Sequence, residues 1–250
     1  MTRDPYLEAL HAFSENCKTK FRDDVLTVFV MGSVARNEHV IGKSDIEMVC
    51  VLKREDTDIQ RIAAILESFK DTMKKEGIPN PYLEVLRPSE YERAYLFLDL
   101  FSTYDLKVNG KVVYGEDARS RLIFPSGRKL KELAELHILS IRQNAYIAAL
   151  GCGPNLDPVP DEIIEDLTVH TAFAAGVALI GRDVMVSLKR EILSKFTKTY
   201  SKLGIFDDIM RRANENLPKT LEEKRTMVKL CLRFLDNLCA VYSEYIRKEL

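Results

Sequence analysis

Met31-Gly-Ser-Val-Ala-Arg-Asn-Glu-His-Val-Ile-Gly-Lys-Ser-Asp-Ile-Glu-Met48 is the stretch on which the reading of this 250-residue chain turns. It follows Val25-Leu-Thr-Val-Phe-Val30, which is β-branched and apolar and predicts a buried strand. It runs into Asp45-Ile-Glu-Met-Val-Cys-Val-Leu52, a second strand with polar residues at its mouth. Gly32-Ser33 directly after a buried strand lets the backbone turn sharply and approach a ligand closely, with amide hydrogens and the Ser33 hydroxyl turned to phosphate oxygens. Arg36 follows about one helical turn later and adds positive charge. Asp45 and Glu47 are separated by one strand residue, so their carboxylates emerge on one face while Ile46 and Met48 point to the other. Two anions side by side repel, and a hard divalent cation such as Mg²⁺ is their natural partner. Taken singly, a Gly-Ser pair is a turn and an Asp-x-Glu a solvated strand edge. Joined across one short loop with an Arg inside it, they point to phosphate chemistry.

Outward from this stretch, Asp4-Pro5 reads as an N-cap and first helical position, and Tyr6, Leu7, Leu10, Phe13 and Cys17 continue a helix to about Lys20. Asp58 to Glu76 carries apolar residues at helical spacing, and Tyr82-Leu-Glu-Val-Leu86 is a third strand closed by Arg87-Pro88. Glu84 interrupts that apolar run. If its strand lies beside the second, three carboxylates converge. Val108-Asn-Gly-Lys-Val112 reads as a turn between short extended pieces. After Phe124-Pro-Ser-Gly127 strand signals vanish, and Arg128 to Leu150, Pro160 to Ile180, Ser187 to Tyr200 and Lys219 to Lys248 read as helices. In the last, Val228, Cys231, Leu235, Leu238, Tyr242 and Tyr245 form one apolar stripe for packing. The expected architecture is α+β: a mixed-sheet domain over residues 1–125 followed by a helical bundle domain over 126–250.

Hydrophobic residues at 46% and charged residues at 30% predict a folded chain throughout. A formal net charge of -1 supplies no field toward a polyanion, and no basic, aromatic-studded stripe is evident, so a nucleic-acid polymerase fits poorly. The amino terminus shows no leader pattern and no apolar run reads as long enough to span a bilayer, so a cytoplasmic protein is expected. The five cysteines are scattered without CxxC pairs or partner histidines, which points away from zinc and from a disulfide framework.

Gly32-Ser33 with Arg36 and Ser44-Asp45-Ile46-Glu47 resembles the signature of the DNA polymerase beta-like nucleotidyltransferase superfamily. Ser44-Asp-Ile-Glu-Met-Val-Cys-Val51 and Leu167-Thr-Val-His-Thr-Ala-Phe-Ala-Ala-Gly-Val-Ala-Leu-Ile-Gly181 look like segments of the kanamycin (aminoglycoside) nucleotidyltransferases. The resemblance implies an amino-terminal nucleotidyltransferase domain, a helical carboxy-terminal domain and a homodimer with active sites in clefts shared between subunits. It implies metal at Asp45 and Glu47, nucleotide at Gly32, Ser33, Arg36 and Ser44, and Glu84 as the acid of the third strand, on metal or substrate. A glutamate on the first helix of the second domain would be general base, which Glu132-Leu-Ala-Glu135 assigns to Glu135. A small shift would bring in His137, and both side chains are proton acceptors of the kind general-base catalysis uses. Asp99 aligns with an acid facing a cationic acceptor, and an acid capping a helix end looks the same. Fewer residues between Glu84 and Asp99, and a longer connection after residue 150, depart from the family pattern at the acceptor side.

The expected function is therefore Mg²⁺-dependent transfer of a nucleoside monophosphate, AMP from ATP, to a hydroxyl of a small acceptor such as an aminoglycoside-like sugar. The alternative is a regulatory nucleotide-binding relative acting through a protein partner, in the manner of an antitoxin. The retained Asp45 and Glu47 argue against it.

Overall fold

The Asp4 carboxylate accepts the Tyr6 amide at 2.9 Å and starts α1 (Pro5–Lys20), with Pro5 where a helix needs no amide donor. The computed structural model describes residues 4–215 and 218–249. After α1 come β1 (Val25–Met31), the single turn α2 (Gly32–Ala35), β2 (Ile46–Leu52), α3 (Ile59–Lys75), β3 (Pro81–Leu86), α4 (Pro88–Glu92), α5 (Leu100–Asn109) and β4 (Lys111–Gly115). The sheet order is β3-β2-β1-β4, with β1 antiparallel to both β2 and β4, and β2 parallel to β3. A parallel pair needs a crossover, and α3 supplies it.

Strand alternation sorts the side chains. Val28, Val30, Met48 and Cys50 meet Tyr6, Phe13 and Phe69 of α1 and α3 on one face. Phe29, Met31, Val49 and Val51 meet Tyr91, Leu98 and Leu106 on the other. Each large apolar side chain so buried contributes about 1.5–3 kcal/mol. The register pairs Met31 with Glu47, so the carboxyl end of β1 lies beside the start of β2. Asp45 stands just ahead of the first β2 residue.

The chain divides into two compact units: residues through Leu98 with Ser102–Phe124, and Asp99–Phe101 with Pro125 onward. In the second unit α6 (Gly127–Leu150), α7 (Asp161–Ile180), α8 (Lys189–Thr199), α9 (Ile205–Glu215) and α10 (Leu221–Glu249) pack around α7. Small residues let neighbours come close: a Cβ on Gly176 would stand 3.0 Å from Phe101 and 3.1 Å from Ile192. The α10 stripe is buried from Val228 to Tyr242.

Three expectations are corrected. The stretch read as a turn between extended pieces is the end of α5, then Gly110, then edge strand β4. A helix at 205–215 had not been expected. And among the described residues α7 alone is long and apolar enough to cross a membrane, although most of its apolar window is buried among the other helices. The cysteines are free thiols, and burial pushes Cys17 up to about 12 and Cys231 up to about 11, so they serve as small core residues.

Candidate functional site

Gly32 occupies the left-handed region at φ +69°, where a side chain is strained and glycine is favoured. Its Cα faces the carboxylate of Glu47, which fills the space a Cβ would take. Its amide donates to Asp105 Oδ2 at 3.0 Å. Asp105, from α5, is 4% exposed, and it also accepts Arg36 Nη1 at 2.9 and 3.0 Å and Asn109 Nδ2 at 2.7 Å. Arg36 gives its Nε to Glu38 at 2.9 Å. Arg36, expected on the triphosphate, is ion-paired with Asp105 and Glu38 next to the turn. Ser33 is half-buried beside Gly32, second in the single turn α2.

The loop between that turn and β2 is tied to α1. His39 Nε2 meets Asp4 Oδ2 at 3.0 Å, its ring lies 4.7 Å from that of Tyr6, and the Tyr6 hydroxyl donates to the Ser44 carbonyl. The Ser44 hydroxyl accepts the Val40 amide at 2.8 Å, closing the loop on itself. Burial opposes the charge of Asp4, but its bonds to His39 and to the Tyr6 amide outweigh that and hold the carboxyl below its ordinary 3.8. Lys111, opposite Val30 in β4, reaches Asn37 Oδ1 at 3.3 Å and brings a cation beside the loop.

Asp45 is exposed and Glu47 half-buried, two residues apart at the mouth of β2. The third carboxylate does not join them as expected. Although β3 lies beside β2, the register sets Glu84 against Val49 and Tyr82 against Glu47, and the Tyr82 hydroxyl donates to the Glu84 carboxylate. Among the described residues no group of three or more His, Cys, Asp or Glu side chains gathers at metal-binding range. The donors at the mouth are a pair. Mg²⁺ is ordinarily held by one or two carboxylates with water and substrate phosphates, so a pair of oxygen donors fits that ion.

In the helical unit, Glu135 is half-buried on α6 and accepts the Ser243 hydroxyl of α10 at 2.5 Å. His137 Nδ1 accepts the Leu100 amide at 3.1 Å, which fixes that nitrogen as an acceptor and gives the ring a structural task. Asp99 immediately precedes α5, in the N-cap position. Asp105 was missed from sequence because its helix was read as mixed structure. The Asp105 to Asn109 spacing, one helical turn, is the signal that could have found it.

No family model matches the chain, and no curated protein does. Among solved structures, the spectinomycin adenyltransferase AAD(9) from Enterococcus faecialis, crystallised with ATP and spectinomycin, is similar over 94% of this chain and 99% of its own. Its TM-score is 0.63 at 12% identity. The chain therefore shares the fold of that protein, an α+β arrangement with a mixed four-stranded sheet followed by helices.

Proposed function

We propose that the chain is a Mg²⁺-dependent nucleotidyltransferase that moves AMP from ATP to a hydroxyl of a small, aminoglycoside-like acceptor. The observation that carries this reading is Glu47 packed against the Cα of a left-handed Gly32, which supports a phosphate turn and a carboxylate pair acting as one site. The fold shared with an adenyltransferase supports it further. Asp45 and Glu47 would hold the ion, with Glu84 farther along the same face. When bound, Mg²⁺ neutralises triphosphate charge and lowers the barrier to attack at phosphorus.

The protein's own share is positioning. The Gly32-Ser33 turn and Ser44 loop orient the triphosphate, with Arg36 supporting the turn and Lys111 adding charge beside it. Glu135 takes the proton of the acceptor hydroxyl, its carboxylate oriented by Ser243. Asp99 attracts a cationic acceptor. Incubation with ATP, Mg²⁺ and a panel of aminoglycosides and other polyols, followed by mass spectrometry, is expected to find one acceptor carrying AMP. Tight nucleotide binding with every acceptor unmodified would favour a regulatory role instead.

We also propose a homodimer, and α6 supports it. Leu136, Leu139, Ile147 and Leu150 are exposed on one side of that helix. They stand seven and four residues either side of Gln143, so the stripe reads the same about its centre. An antiparallel pair of α6 helices crossing at Gln143 would set like against like, as a twofold interface requires.

A further inference from the structure

We propose that Asp105 is the residue that sets the Gly32-Ser33 turn, with Arg36 as its counter-ion. The catalytic consequence rests on the transferase reading; the structural one rests on geometry alone. Gly32 has a buried amide that must find an acceptor. Asp105 provides one from α5, and its donors come from the turn, from Arg36 just beyond it, and from Asn109 one helical turn along α5.

The chemistry explains why Arg36 is there. A carboxylate buried without a cation is costly, and an anion directly behind a phosphate-binding turn would repel a triphosphate. Two bonds from one Arg36 nitrogen to both Asp105 oxygens neutralise it in place. Gly32 is then held on two sides, its amide by Asp105 and its Cα against Glu47. The turn and the metal-facing carboxylate are registered to each other before any nucleotide arrives, which is preorganisation.

Two roles for the ion pair make opposite predictions. If Asp105 merely masked Arg36 as a phosphate ligand, removing its charge would tighten nucleotide binding. If it positions the turn, binding weakens.

The test uses the full chain as wild type, Asp105→Ala and the neutral pair Asp105→Asn/Arg36→Gln. Gly32 amide exchange is read by NMR, MgATP affinity by calorimetry, and KM for ATP and for acceptor separately. Asp105→Ala is expected to speed Gly32 exchange and weaken MgATP at least about tenfold each, the usual size of a lost charge-assisted bond, with acceptor KM within about twofold. The neutral pair keeps an acceptor for the Gly32 amide, so Gly32 exchange should return to within about threefold of wild type, whatever the loss of Arg36 does to MgATP affinity. If Asp105→Ala fails to fold, the neutral pair decides alone, and failure to recover overturns the proposal. Unchanged Gly32 exchange in Asp105→Ala, or tighter MgATP binding, overturns it as well. A wild type that binds no nucleotide removes the transferase reading, and Gly32 exchange still decides the role of Asp105.

Discussion

Gly32→Ala and Gly42→Ala make a matched pair, because both glycines are left-handed, at φ +69° and +76°. An alanine in that region costs about 1–2 kcal/mol at either position. Their surroundings differ. Nothing lies within 4 Å of a Cβ built on Gly42, whereas on Gly32 it lands on Glu47 Oε2, closer than two atoms can approach. That oxygen ends a flexible side chain and can move away cheaply, so the stability loss at Gly32 should stay near that at Gly42. Both variants should melt about 2–8 °C below wild type by circular dichroism. Function should separate them, because the displaced atom belongs to the proposed metal pair. A shift on the order of 1 Å in a catalytic group costs about 10²-fold, so Gly32→Ala should lose that much pyrophosphate release while Gly42→Ala keeps most of it. Wild-type turnover in Gly32→Ala, or an equal loss in both, would refute the reasoning.

Three further outcomes are expected. Glu135→Gln should slow the chemical step by about 10²-fold or more in single-turnover kinetics with MgATP affinity unchanged; a wild-type rate would move the base elsewhere. Leu139→Glu with Ile147→Glu should convert a dimer to a folded monomer in light scattering, and a mass unaffected by the pair would place any self-association on another face. The lowered pKa of Asp4 means that its contribution is present above the ordinary value of 3.8 and is lost as pH falls through the folded value. Stability of the wild type should therefore drop more than that of Asp4→Ala on going from about pH 5 to about pH 2, measured by urea denaturation. Parallel curves would show that the Asp4 bonds to His39 and the Tyr6 amide contribute nothing.

Much of the fold was legible because local and global signals agree. Val25 to Met31 and Ile46 to Leu52 are apolar runs, interrupted only by Thr27 and Glu47, around a Gly-Ser turn, and Asp4-Pro5 and Asp58 cap the helices they precede. What escaped did so for physical reasons. In α5 the β-branched Thr103 and Val108 argue against a helix, and Asn109-Gly110 imitates a hairpin turn, while burial of Leu106 and Asp105 overrides both. The α9 helix is short, although Asp207 and Asp208 in its first turn and Arg212 in its last suit the helix dipole. Within the site, the nearness of Gly32 to Glu47 followed from two strands meeting at one loop. The register that sends Glu84 toward Val49, and the pairing of Arg36 with Asp105, depend on contacts between distant segments that no local pattern encodes.

The most direct measurement is pyrophosphate release from ATP and Mg²⁺ across the acceptor panel, run side by side for wild type and Asp45→Asn. An acceptor-dependent signal in the wild type, at least about 10²-fold lower in a variant with the same melting temperature, is the expected result. Equal release by the two proteins would contradict a carboxylate-held metal at the mouth of β2.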